Sequence, residues 1–266
     1  MKIKTQPVLF ISHGGGPWPY IEDMRPHFAR TTYGLRKLAN ELPQVPSAVI
    51  IVSGHWQTPG FQVSSSDHPA MEYDYSGFPE HTYHISYPAP GSPELAQKII
   101  DTLALKNLSC QANPERGLDH GIFVPMVIMF PEANIPIVSL SIRSSFNAAE
   151  HLVLGDALSC LRHENVLIIG SGLSYHNLRQ FGSTEAGIVS KTFEDWLFTT
   201  LTHPDKTIRN HRLIKWEQAP EARKAHPRED HLIPLMVIAG AAGDEPGERV
   251  ILDEVWNVTM SSYRFG

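Results

Sequence analysis

The chain has 266 residues, 42% of them hydrophobic, which is enough to bury a full core, and a single catalytic-size domain over residues 1–266 is expected at this length. Its 28 acidic residues outnumber 22 basic ones, and the formal charge of −6 comes without any Lys/Arg block, which argues against nucleic acid or an anionic membrane surface as partner. The first apolar run, residues 8–11, is too short for a signal peptide, and segment 233–242 falls well below the roughly 20 residues of a membrane span, so a cytoplasmic protein is expected.

Strand-like and helix-like segments alternate in chain order. A strand over 7–12 ends in Ser12-His13 and a glycine-rich turn, Gly14-Gly15-Gly16-Pro17. Without Cβ atoms such a turn admits backbone or ligand closely. The spacing is not G-x-G-x-x-G and no Walker lysine follows, so His13 reads either as a pocket ligand or as a loop histidine. Phe28, Leu35, Leu38 and Leu42 then fall at helical spacing. The next strand, 47–53, ends in Ser53-Gly54-His55-Trp56: small residues, an imidazole, and an aromatic able to wall a pocket. Residues 67–93 mix Gly, Pro, Tyr and His without a period and read as a long ordered loop, where Tyr73, Tyr75 and Phe78 can flank a flat substrate.

Ser92-Pro93-Glu94 predicts a helix start through a hydroxyl cap, a proline in the first turn and an acid near the dipole's positive end. Gly117-Leu118-Asp119-His120-Gly121 precedes the apolar segment 122–129, and Asp119 either caps a helix or orients an imidazole. A strand over 135–141, a helix capped by Asn147 and a strand over 166–171 follow, the last leading to Tyr175-His176-Asn177, whose amide is placed to fix the ring. No G-x-S-x-G elbow accompanies Ser171. A helix over 186–200 comes next. Glu229-Asp230-His231 then runs into a buried apolar helix, so His231 is a further candidate ligand, with His226 a competing donor. Segments 250–252 and 258–263 read as closing antiparallel strands. Cys110 and Cys160 form no CxxC motif and read as free thiols.

This alternation predicts an α/β fold: a mostly parallel central sheet flanked by helices. Three of the histidines, His13, His55 and His176, stand just past apolar runs. In parallel neighbours the carboxyl ends share one edge, where open α/β sheets bind ligands. A metal or acid–base pocket is expected there.

The motifs SHGGGP, SGHW, SGFPEHTY, YPAPGSPELA, GLDHG, IPIVSLSI, SGLSYHNLR and REDHLIPL, in this order from about residue 8 past His231, resemble the class III extradiol ring-cleavage dioxygenases, specifically the 4,5-DOPA dioxygenase-like branch. The resemblance implies a mononuclear non-haem Fe(II) enzyme that opens a small, DOPA-like catechol by inserting both atoms of O2, with zinc as the other metal seen in such sites. By position it implies that His13, His55 and His231 are metal ligands and that His120 and His176 are acid–base histidines; Trp56, Tyr73, Tyr75 or Phe78 is expected to line an aromatic slot for the substrate. A metal that also receives substrate can take only about three protein ligands. The usual iron set of two histidines and a carboxylate is replaced here by His231 with Glu229 and Asp230 beside it. A zinc hydrolase and a non-catalytic metal-binding protein are the alternative readings.

Overall fold

The apolar runs before His13, His55 and His176 are covered on both faces: residues 8–11, 49–52 and 166–169 are buried throughout. Only a sheet packed between helices on both sides buries strands so completely. A computed structural model describes residues 4–266 and shows that sheet.

The elements in order are β1 (Val8–Ser12), α1 (Ala29–Asn40), β2 (Ala48–Thr58), β3 (Phe61–Ser64), α2 (Pro93–Ala104), β4 (Cys110–Asn113), α3 (His120–Met129) and β5 (Ile137–Arg143). Then come α4 (Ala148–Leu158), β6 (Val166–Gly172), α5 (Thr184–Leu201), α6 (Lys206–Ile214), α7 (Ala222–Ala225), α8 (Ile233–Ala241), β7 (Gly247–Val255) and β8 (Val258–Phe265). The eight-stranded sheet has the order β4-β3-β5-β2-β6-β1-β8-β7. Its centre, β5-β2-β6-β1, is parallel, and β8 joins β1 antiparallel, as expected of the closing hairpin. No helix among the described residues is long and apolar enough to cross a membrane.

Three departures from the expected elements have local causes. The strand expected at 135–141 is Ile137–Arg143, because Pro136 has no N–H to give the ladder and serves only as acceptor for Val49. The strand expected at 47–53 runs on to Thr58 through a register shift between Val52 and Gln57. Strands β3 and β4, four residues each, are too short to show a period and lie beyond the expected set.

The 67–93 loop is irregular but tied down. Glu72 N–H donates to Leu118 O and Leu118 N–H to Ala70 O, Tyr73 donates to Ile85 O at 2.6 Å, and Tyr75 donates to Thr82 O at 2.5 Å. Each tyrosine hydroxyl replaces a missing sheet partner for a loop carbonyl. The loop is thereby held over the carboxyl edge of the sheet.

Away from that edge, His151 is wholly buried in α4, its Nδ1 2.7 Å from Asn147 O and its Nε2 3.0 Å from the Arg143 N–H that it accepts. Burial pushes its pKa down to about 4. The unfolded ring, near 6.5, takes up a proton that the folded ring refuses, so stability is full above about pH 6.5 and falls as the pH drops toward 4. The expected loss across that window is roughly 3 kcal/mol. Denaturant unfolding of wild type and His151→Gln from pH 7 to 4.5 should show a shallower slope in the variant; parallel slopes would refute this role.

Candidate metal centre

Five histidines from five parts of the chain meet above the carboxyl edge. His13 follows β1, His55 sits in the irregular part of β2, His120 opens α3, His176 follows β6, and His231 precedes α8. Backbone bonds set their heights: His13 N–H donates to Gly172 O at 3.1 Å, Leu173 N–H to His231 O at 3.0 Å, and Trp18 Nε1 to His13 O at 2.9 Å.

Two glycines make this convergence possible. A Cβ on Gly172 would lie 2.0 Å from His231 O, and one on Gly54 would lie 3.0 Å from Asp230 O. The segment carrying Asp230 and His231 therefore rests directly on the backbone of β6 and β2. Gly172→Ala is expected to displace His231 and lower metal affinity at least tenfold, or to prevent folding; metal titration with circular dichroism separates the two, and unchanged affinity in a folded variant would contradict the packing argument.

Two carboxylates each serve a pair of rings. Asp74 meets His55 Nδ1 at 3.1 Å and His120 Nδ1 at 2.8 Å, and also accepts the His120 backbone N–H at 3.1 Å. Asp230 meets His231 Nδ1 at 3.1 Å and faces His176 Nδ1 at 3.4 Å, while accepting the His231 N–H at 2.8 Å. The rings of His176 and His231 stack with centroids 3.5 Å apart. Burial alone would raise both carboxyls, but their imidazole partners override it and hold each well below the usual carboxylate range.

This pairing dictates tautomers. A ring donating Nδ1–H to a carboxylate carries a bare lone pair on Nε2. His55 Nε2 lies 3.1 Å from His231 Nε2 and 3.3 Å from His13 Nε2. Lone pairs of neutral rings so close repel unless a cation stands between them. Metal–nitrogen bonds of about 2.1 Å meeting at octahedral or tetrahedral angles separate their nitrogens by about 3.0–3.4 Å, so the spacing fits a metal ion. Charging His13 or His231 instead is opposed, because burial and neighbouring histidines push both well below the ordinary value. At His55 burial acts the same way, but Asp74 with Asp119 and Asp230 raises it overall. Among the described residues the buried Nδ1 of His13 has no partner, and its Nε2 is the nitrogen turned to His55.

Donor atoms of His13, His55 and His120 also fall within 4.8 Å of one another, as do those of His176, Asp230 and His231. The shorter Nε2 contacts favour His13, His55 and His231 as the converging set. Asp230 turns its Oδ1 to the two Nδ1 atoms. A cavity of about 510 Å³ opens above the rings, with Tyr75 and Phe78 in its wall.

Comparison with known proteins decides the class of chemistry. The family described as the catalytic LigB subunit of aromatic ring-opening dioxygenase matches residues 7–265. The chain belongs to this family. It is 38% identical to a 4,5-DOPA dioxygenase extradiol of Beta vulgaris over 96% of this chain and 93% of the relative. It is 34% identical to one from Escherichia coli K12 over 92% and 89%, and 35% identical to the dioxygenase tasH of Hapsidospora irregularis over 98% and 85%. The crystal structure of an uncharacterized Escherichia coli K12 protein superposes with a TM-score of 0.80 at 31% identity, covering 98% of this chain and all of that one. The chain is thus a ring-opening dioxygenase of the DOPA-dioxygenase-like branch, with a His/Asp cluster able to hold a metal.

Within this LigB fold several expected neighbours stand elsewhere. Trp56 is not in the cavity wall; it is buried beneath the Arg116 guanidinium, 5.0 Å from the ring. Tyr73 is also outside the wall, its hydroxyl used to brace Ile85, whereas Tyr75 takes the wall position. Asn177 donates to Lys224 O at 2.9 Å rather than to His176. Asp119 accepts Ser53 Oγ at 2.9 Å and pairs with Arg116, and Glu229 pairs with Arg223. His226 is buried on Ser174 O, outside the cavity.

Asp74 is the residue that sequence reasoning does not single out. Its only signal is a lone acid between two tyrosines, in a loop whose path over the sheet edge no local pattern encodes.

Proposed function

We propose that this chain is a cytoplasmic Fe(II)-dependent extradiol dioxygenase acting on a small catechol, with His13, His55 and His231 holding the ion. The observation that carries the reading is the pairing of two further imidazoles, His120 and His176, with the same carboxylates that orient His55 and His231. A site that only stores a metal needs no such pair. Fe(II) held there would supply the redox chemistry through which O2 reacts with the ring.

The protein's part is proton handling and orientation of the ring. His176 Nδ1 faces Asp230, which leaves Nε2 free to accept a catechol hydroxyl proton and stabilises the imidazolium that results. His120, held twice by Asp74, orients substrate or O2 and donates a proton later in the cycle. Tyr75 lies 5.8 Å edge-on to His120, and with Phe78 walls this side of the cavity with aromatic surface suited to a flat ring.

An all-nitrogen donor set also suits zinc, and the zinc hydrolase is the competing reading. Turnover of a catechol under 18O2 separates them. The dioxygenase places two labelled atoms in the ring-opened product; a product carrying oxygen from water alone would reject it.

A further inference from the structure

We infer that the ring-opening site selects catechols with a neutral, apolar substituent over those bearing the carboxylate of an amino acid. The inference rests on the extradiol reading above and names its substrate class.

Among the described residues, no lysine or arginine lines the cavity; its ionisable groups are the five histidines, Asp74 and the Tyr75 phenol. Asp74 reaches the lining behind the rings of His55 and His120, and Asp230 lies outside it. A substituent carboxylate directed away from the histidines would find no lysine or arginine to pair with, and an unpaired charge against apolar walls is strongly disfavoured. Arg25 and Arg179 adjoin Met24 and Leu178 in sequence, yet neither is in the lining, and Arg25 faces a separate surface groove beside Glu22.

The wall away from the histidines is built of Met24, Phe28, Leu178, Phe181, Trp256 and Met260. Leu178 is 65% exposed and Trp256 37% exposed, so apolar surface stands in water at the mouth. Trp256 is held at φ 48° and Asn257 at φ 62° in the β7–β8 turn, a left-handed conformation that bulky side chains rarely adopt. Two bonds clamp that turn: Gly182 N–H donates to Trp256 O at 3.0 Å, and Asn257 Nδ2 donates to Gly182 O at 3.1 Å. The strained turn and the segment bearing Leu178 and Phe181 thus form one apolar rim. At about 510 Å³ the cavity lies in the range that encloses drug-sized ligands, leaving room for a substituent beyond the ring.

The test uses probes with the same three-carbon side chain and different ends, 4-propylcatechol and 3-(3,4-dihydroxyphenyl)propanoate, together with L-DOPA. Affinity is read by anaerobic calorimetry on Fe(II)-loaded protein, and kcat/KM by O2 uptake. The propyl compound is expected to lead both acids by at least about tenfold in each measure. Trp256→Gly, which suits the backbone angle, should narrow the lead to about threefold or less by weakening the propyl compound alone, at unchanged iron content. Leu178→Ser should act in the same direction. Equal or better binding and turnover of an acid would overturn the inference while leaving the extradiol reading intact. An undiminished lead in both variants would overturn the role of the rim. Absence of O2 uptake with every catechol would remove the extradiol reading, and this inference with it.

Discussion

Replacing His176 with alanine is expected to lower kcat/KM for ring opening by about 10²–10⁴-fold while the chain still binds one Fe(II). Its ring stacks on His231 but offers no nitrogen to the close Nε2 contacts, which involve His13, His55 and His231. Losing it removes a proton acceptor and leaves Asp230 with its bonds to His231. Metal analysis by mass spectrometry, alongside single-turnover kinetics, reads the two effects apart. Added imidazole should restore part of the rate, since the missing group is a small base in an open cavity. Equal loss of metal and turnover would contradict the division of roles.

Removal of His55 has the opposite signature. His55 Nε2 is the only one of the three in close contact with both others, so His55→Ala should empty the site, a larger effect than the about 10–100-fold loss expected on disturbing an outer partner. Asp74→Asn supplies that milder comparison. Both Asp74 oxygens accept from imidazole Nδ1–H groups, and an amide has only one acceptor oxygen, so its NH2 would face a donor. The expected result is metal affinity reduced about 10–100-fold with a further fall in turnover, because one carboxylate sets both His55 and His120. Calorimetric titration of metal into each variant ranks them: His55→Ala weakest, then Asp74→Asn, then wild type. Asp74→Asn indistinguishable from wild type would deny the carboxylate its orienting role.

Buried apolar runs made the parallel centre of the sheet legible, since a strand covered on both faces leaves an unbroken hydrophobic signature. The histidines after those runs were legible for the same reason: the strand ends and the topology together imply one edge. His231 comes from outside the strands, and its place depends on Gly172 and Gly54 letting its backbone lie against the sheet. Asp74, Tyr75 and the rim around Trp256 depend on how loops cross that edge. A loop's path is set by long-range bonds such as Glu72 to Leu118, which have no periodic trace in the sequence. Trp56 and Tyr73 misled because aromaticity near a histidine marks a pocket and a packed core equally well; Arg116 and Ile85 take those side chains instead.

Five histidines and two carboxylates meet at one edge of the sheet, and the proposed function makes them a single iron-dependent ring-opening site. Anaerobic reconstitution with Fe(II), followed by simultaneous measurement of O2 uptake and absorbance of the yellow ring-fission product over a catechol panel, tests it most directly. One O2 should be consumed per ring opened, strictly dependent on Fe(II). Tightly held zinc with no catechol-dependent O2 uptake after iron loading would contradict it.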